Sequence, residues 1–243
     1  MSAVWAISAF LMTLAGGAFA LRYQKYLLFI MAFSAGMLVG VAFLDLMPEI
    51  VVLSRDTGIE IRSLMVTVIF GFVGIFLLEK LTIIHSEKTH DTPGHHHNVG
   101  LIGAAGLSFH SFLDGLAIGV GFKASTEVGV VILMAVLAHD FADGLNTVTF
   151  MLASRNNAWR TGTLLGIDAI APVVGALTAN VVHIEPRMLA FQISFFAGFL
   201  LYLGASDLLP HVHEKPRAAL ILSTIAGLFV AGLIVYTLER VHA

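Results

Sequence analysis

Two short stretches place an imidazole and a carboxylate four residues apart inside apolar sequence. One is H-S-F-L-D-G, with His110, Ser111, Asp114 and Gly115; the other is H-D-F-A-D-G, with His139, Asp140, Asp143 and Gly144. On a helix, positions i and i+4 share a face, so each stretch aims a ring nitrogen and a carboxylate oxygen at one point. A transition-metal ion needs several such donors converging at about 2.0–2.2 Å. His110 and Asp114 offer two from one helix, and Ser111 adds a weak oxygen or orients a water. His139 and Asp143 offer two from a facing helix, with Asp140 on a neighbouring face. The plainer alternative is that each His–Asp pair is an ordinary buried hydrogen bond. Two equivalent stretches and a third aspartate weigh against it, because an aspartate at the centre of a membrane helix costs about 2.5–3.5 kcal/mol on insertion scales. The expectation is a cation site whose donors are His110, Ser111, Asp114, His139, Asp140 and Asp143.

The elements that must carry these groups are written in the composition. The 243 residues are 58% hydrophobic and 12% charged, against about 25% charged in soluble domains, and mean hydropathy is +0.90. Such a chain has apolar sequence for many spans and too little charge to coat a water-facing surface. It reads as an all-α integral membrane protein whose partner is the lipid bilayer. A net charge of −3 gives no basic surface for nucleic acid. With no cysteine, a metal must be held by imidazole, carboxylate, hydroxyl, amide or thioether, which suits zinc, iron or manganese better than copper(I). A span needs about 20 mostly apolar residues. Eight such stretches occur, at roughly 2–21, 27–53, 60–84, 99–122, 127–153, 160–182, 187–210 and 217–238. They form a single transmembrane domain over 1–243, interrupted by one longer polar, His-rich loop at 85–98.

The chain also repeats itself. Residues 36–49, G-M-L-V-G-V-A-F-L-D-L-M-P-E, align without a gap on 198–211, G-F-L-L-Y-L-G-A-S-D-L-L-P-H. Asp45 falls on Asp207, Pro48 on Pro210 and Glu49 on His211. The two segments lie in spans 2 and 7, which run in opposite directions. This fits an inverted repeat, with three spans on each side of a central pair, and transporters of that kind bind their cargo near the midplane. Basic residues in short loops set orientation. With the N-terminus outside, eight of them face the cytoplasm (Arg22, Lys25, Lys80, Lys88, Arg155, Arg160, Lys215, Arg217) and five face out (Arg55, Arg62, Lys123, Arg187, Arg240). That places the 85–98 loop inside.

Further polar groups lie along the same spans. Asp45 and Glu49 near one mouth, and Asp207 and His211 near the other, are secondary candidates for an ion pathway. Asp168, one turn before Pro172, is another, since that proline loosens its helix and frees backbone carbonyls. His95, His96 and His97 can gather metal in the loop, though His-rich tracts are a compositional signal only. Glu79, near the end of span 3, is expected to snorkel to the interface.

At these residues the chain resembles the ZIP (Zrt-, Irt-like) family of metal transporters. H-S-F-L-D-G-L-A-I-G looks like that family's fourth-span signature, H-D-F-A-D-G stands at its fifth, and F-L-D-L-M-P-E and Y-L-G-A-S-D-L-L-P-H look like its second and seventh. The resemblance implies eight spans in a 3+2+3 inverted arrangement, import of divalent metal toward the cytoplasm, and a binuclear-type site lined by His110, Ser111, Asp114, His139, Asp140 and Asp143. It also implies a homodimer. Two departures stand out. Asp114 and Asp143 occupy places where many members carry Glu, and the acid many members have just before the sixth-span proline is here Ala171, with Asp168 one turn earlier. The expected cargo is Zn²⁺, with Fe²⁺, Cd²⁺, Mn²⁺ and Co²⁺ as alternatives. The expected mechanism is alternating access, by rocking of the repeats against the central spans. Small size and short loops fit a bacterial inner membrane. Two rival readings are an intramembrane zinc hydrolase, against which H-E-x-x-H is missing, and a metal sensor that moves nothing. No G-x-x-x-x-G-K-[ST] stretch occurs to bind ATP.

Overall fold

The computed structural model describes residues 2–87, 97–124, 126–181, 185–214 and 217–242. All regular structure among them is helical. The rods are α1 (Ser2–Arg22), α2 (Gln24–Thr57), α3 (Ile61–Glu87), α4 (His97–Ala124), α5 (Thr126–Ala153), α6 (Ala158–Thr178), α7 (Pro186–Val212) and α8 (Ala218–His242). Among the described residues seven of these are both long and apolar enough to cross a bilayer. The remaining one, α5, is 28 residues long, more than a hydrocarbon core requires. Helix α3 continues to Glu87 and α4 begins at His97, so both ends of the expected 85–98 loop are helical. Large apolar side chains such as Phe70, Leu81, Leu222 and Phe229 stand exposed on α3 and α8. In a bilayer that exposure faces a solvent as apolar as the side chains themselves.

The helices gather into two compact units. One holds α1, α4, α5 and α6; the other holds α2, α3, α7 and α8. The central pair is therefore not a body of its own, because α4 and α5 pack with α1 and α6.

Helix–helix approach in each unit is set by glycine. A Cβ at Gly16 would run into the Phe141 carbonyl, and one at Gly144 into the Thr13 carbonyl; Gly115 meets Pro172 and Gly175 meets Phe112 in the same manner. Without side chains at these points the backbones touch, which is how membrane helices associate when lipid offers no hydrophobic drive. The two crossings are copies of one another. Thr13 and Gly16 of α1 correspond to Pro172 and Gly175 of α6, while Phe141 and Gly144 of α5 correspond to Phe112 and Gly115 of α4.

The second unit repeats the device. Gly36 meets the Thr224 carbonyl and Gly227 that of Phe33; Gly198 meets Val68 and Gly71 meets Phe195. Here α2 answers to α7 and α3 to α8, with the same alignment that puts Asp45 on Asp207. Both α2 and α7 leave the α register where that alignment predicts equivalence, in π turns at Ala42–Leu46 and Tyr202–Leu208. Pro48 and Pro210 start the α segments that follow. Each removes the amide that would bond the carbonyl four residues earlier, and the freed turns carry Asp45 and Asp207.

Candidate metal centre

His110 and His139 each lie at the middle of a 28-residue helix. Since Gly115 and Gly144 hold the neighbouring helices close, the two motifs converge inside one bundle. His110 Nε2 is 3.2 Å from Asp114 Oδ2, and His139 Nε2 is 3.3 Å from the same oxygen. Asp143 Oδ2 is 3.9 Å from His139 Nε2. The imidazole rings tilt 32° to each other with centroids 5.7 Å apart. One donor atom from each of the four residues lies within 4.8 Å of the others. Four donors around an ion at about 2.0–2.1 Å sit about 3.3–3.4 Å apart along the edges of a tetrahedron. The nitrogen–oxygen edges to Asp114 already have that length. Two nitrogens and two oxygens at this spacing suit Zn²⁺ and its divalent neighbours.

The remaining two residues of the expected set are placed differently. Ser111 is fully buried, and its hydroxyl donates to Asp168 Oδ1 at 2.8 Å. Thr147, four residues beyond Asp143, donates to the other oxygen of Asp168 at 2.6 Å. Asp140 is also fully buried, but among the described residues neither of its oxygens has a hydrogen-bond partner, and the same holds for Asp143 Oδ2 and Asn146 Oδ1. Three acceptor-bearing side chains on successive turns of α5 are thus left with unused lone pairs. Thr147 and Asn146 were missed in the sequence, although the i+4 and i+7 spacing from Asp143 and His139 puts both on the ligand face.

Of the pathway candidates, Asp168 lies in the same unit as these donors. Asp45 and Asp207 are half-buried in their π turns, and Glu49 and His211 are exposed, all in the second unit. His95 and His96 lie outside the described residues; His97 opens α4. Glu79 does not snorkel. It is buried, accepts the Tyr202 hydroxyl on one oxygen and pairs with Lys80 at 2.8 Å on the other. A lysine neighbour and a phenol from the facing helix satisfy it where it stands.

A family model described as ZIP Zinc transporter matches residues 94–238, which includes both motifs and the second half of the repeat. Among similar proteins, the zinc transporter ZIP13 of Pongo abelii is 25% identical over 221 residues, 86% of this chain and 65% of the relative. The zinc transporter GufA of Myxococcus xanthus is 27% identical over 133 residues, 54% of this chain and 52% of the relative. The zinc transporter YKE4 of Saccharomyces cerevisiae is 24% identical over 225 residues, 79% of this chain and 62% of the relative. The chain thus spans less than two thirds of these relatives' length. With the family model covering more than half of the sequence and the motif residues meeting in one bundle, the chain belongs to the ZIP zinc transporter family.

Proposed function

We propose that the chain moves divalent transition-metal ions, Zn²⁺ first among them, across a membrane into the cytoplasm by alternating access. The observation that carries this reading is the meeting of His110, Asp114, His139 and Asp143, with one donor atom of each within 4.8 Å of the others, halfway along two helices. Ionisable groups at that depth are costly and mark ion pathways. The names of the relatives support zinc as the cargo. Asp140, whose two buried oxygens have no hydrogen-bond partner among the described residues, is the carboxylate available to a second ion. All four central donors belong to the unit of α1, α4, α5 and α6, so the ion travels with that bundle rather than with α4 and α5 alone. The excess of basic residues in the inner loops supports an outside N-terminus. No observation favours the hydrolase or sensor readings.

The test is uptake into reconstituted vesicles across a panel of Zn²⁺, Cd²⁺, Fe²⁺, Mn²⁺ and Co²⁺. The unmodified protein takes up Zn²⁺, and His110→Ala or Asp114→Ala abolishes uptake in protein that still elutes as a monodisperse peak. Wild-type uptake by both variants would remove the site from the pathway.

A further inference from the structure

Asp168 is fully buried in α6, and each of its carboxylate oxygens is engaged by a hydroxyl from a different ligand helix. Ser111 of α4 reaches Oδ1 at 2.8 Å and Thr147 of α5 reaches Oδ2 at 2.6 Å. Ser111 also lies 3.1 Å from the Leu107 carbonyl; its single proton favours the shorter, charge-assisted bond to the carboxylate. Ser111 is next to His110, and Thr147 is one turn from Asp143. A single side chain therefore spans the two helices whose relative position decides whether four donors converge. The approach that permits this is built in: Gly115 and Gly175 let α4 and α6 touch, and Pro172 leaves the Asp168 carbonyl without its usual i+4 amide.

The internal repeat sharpens the point. The place corresponding to Ser111 is held by Asp140, and the place corresponding to Asp168 is held by Ala9. On that half the carboxylate stands on the ligand helix, and alanine offers it no donor. The hydroxyl–carboxylate tie is thus not a by-product of the repeat, since it occurs on one half only.

We infer that Asp168 is a positioning residue rather than a metal ligand: it clamps Ser111 and Thr147 and so sets the spacing of the α4 and α5 donors. The inference rests on the reading that those donors hold the transported ion. An amide can keep both bonds, accepting from one hydroxyl and donating to the other, whereas at a metal ligand a neutral amide oxygen holds a divalent ion more weakly than the carboxylate it replaces. Asp168→Asn therefore binds the same number of Cd²⁺ ions per chain as the unmodified protein, with KM for Zn²⁺ uptake within about threefold. Thr147→Val, which removes the hydroxyl bound to Asp168 Oδ2, raises KM about tenfold, in the range outer partners of metal ligands command, and shifts the visible spectrum of bound Co²⁺. Thr147→Ser restores both. Ser111→Ala removes the other half of the tie and replaces Thr147→Val if that variant does not fold. Loss of a bound ion in Asp168→Asn would make Asp168 a ligand and overturn the inference. Wild-type KM and an unshifted Co²⁺ spectrum in Thr147→Val would also overturn it. Absence of uptake by the unmodified protein would instead sink the transport reading, while the Co²⁺ spectra still report on the clamp.

Discussion

One oxygen of Asp114 stands within 3.3 Å of both imidazole nitrogens, while Asp143 stands farther from His139, at 3.9 Å. Asp114 is thus the corner shared by two edges of the donor set, and its loss opens the set on two sides. Asp114→Asn is expected to weaken Co²⁺ binding more than about 100-fold, beyond what outer partners command, and Asp143→Asn about 10-fold. A titration followed by the visible spectrum of bound Co²⁺ measures both, and equal losses would contradict the shared corner. The residue types and i+4 spacing placed His110 with Asp114 and His139 with Asp143 on shared faces, because a helix of known period fixes which side chains meet. Ser111 and Asp168 were harder to assign. A hydroxyl and a carboxylate 57 residues apart carry no sequence mark of meeting, and Ser111 next to a histidine reads equally well as a ligand. Glu79 was misjudged for the same reason, since Tyr202 lies 123 residues away.

At the level of elements, the glycine crossings decide how closely the ligand helices approach. Gly115 faces the Pro172 carbonyl in the metal-bearing unit, and Gly36 faces that of Thr224 in the other. A single methyl at either place forces backbones apart and is expected to cost about 1–3 kcal/mol as overpacking. Gly115→Ala and Gly36→Ala should therefore both lower the thermal midpoint in detergent. Only Gly115→Ala should weaken Co²⁺ binding, because only it displaces α6 and the Asp168 tie from α4. Equal effects on binding would argue that the two bundles do not divide the work. The spans and the equivalence of Asp45 with Asp207 were legible from hydropathy and one aligned segment. The π turns and the paired crossings were not. They depend on which helices lie side by side, and sequence separation does not record that.

For the whole molecule, His110, Asp114, His139 and Asp143 all lie in the unit of α1, α4, α5 and α6, which bears on the mechanism proposed above. Rocking of the repeats against α4 and α5 would break the crossings at Gly16, Gly115, Gly144 and Gly175; moving α1, α4, α5 and α6 together keeps them. An all-helical, multi-span chain was evident from composition. The grouping of helices was not, because lipid-facing and partner-facing sides of an apolar helix look alike in sequence. The central claim is that one ion rests among two imidazoles and two carboxylates, and X-ray absorption at the zinc edge of the Zn²⁺-loaded protein tests it most directly. The account predicts a nearest shell of nitrogen and oxygen at about 2.0–2.1 Å, with imidazole scattering that halves in His139→Ala. A sulfur shell near 2.3 Å, or imidazole scattering unchanged when both His110 and His139 are replaced, would contradict it.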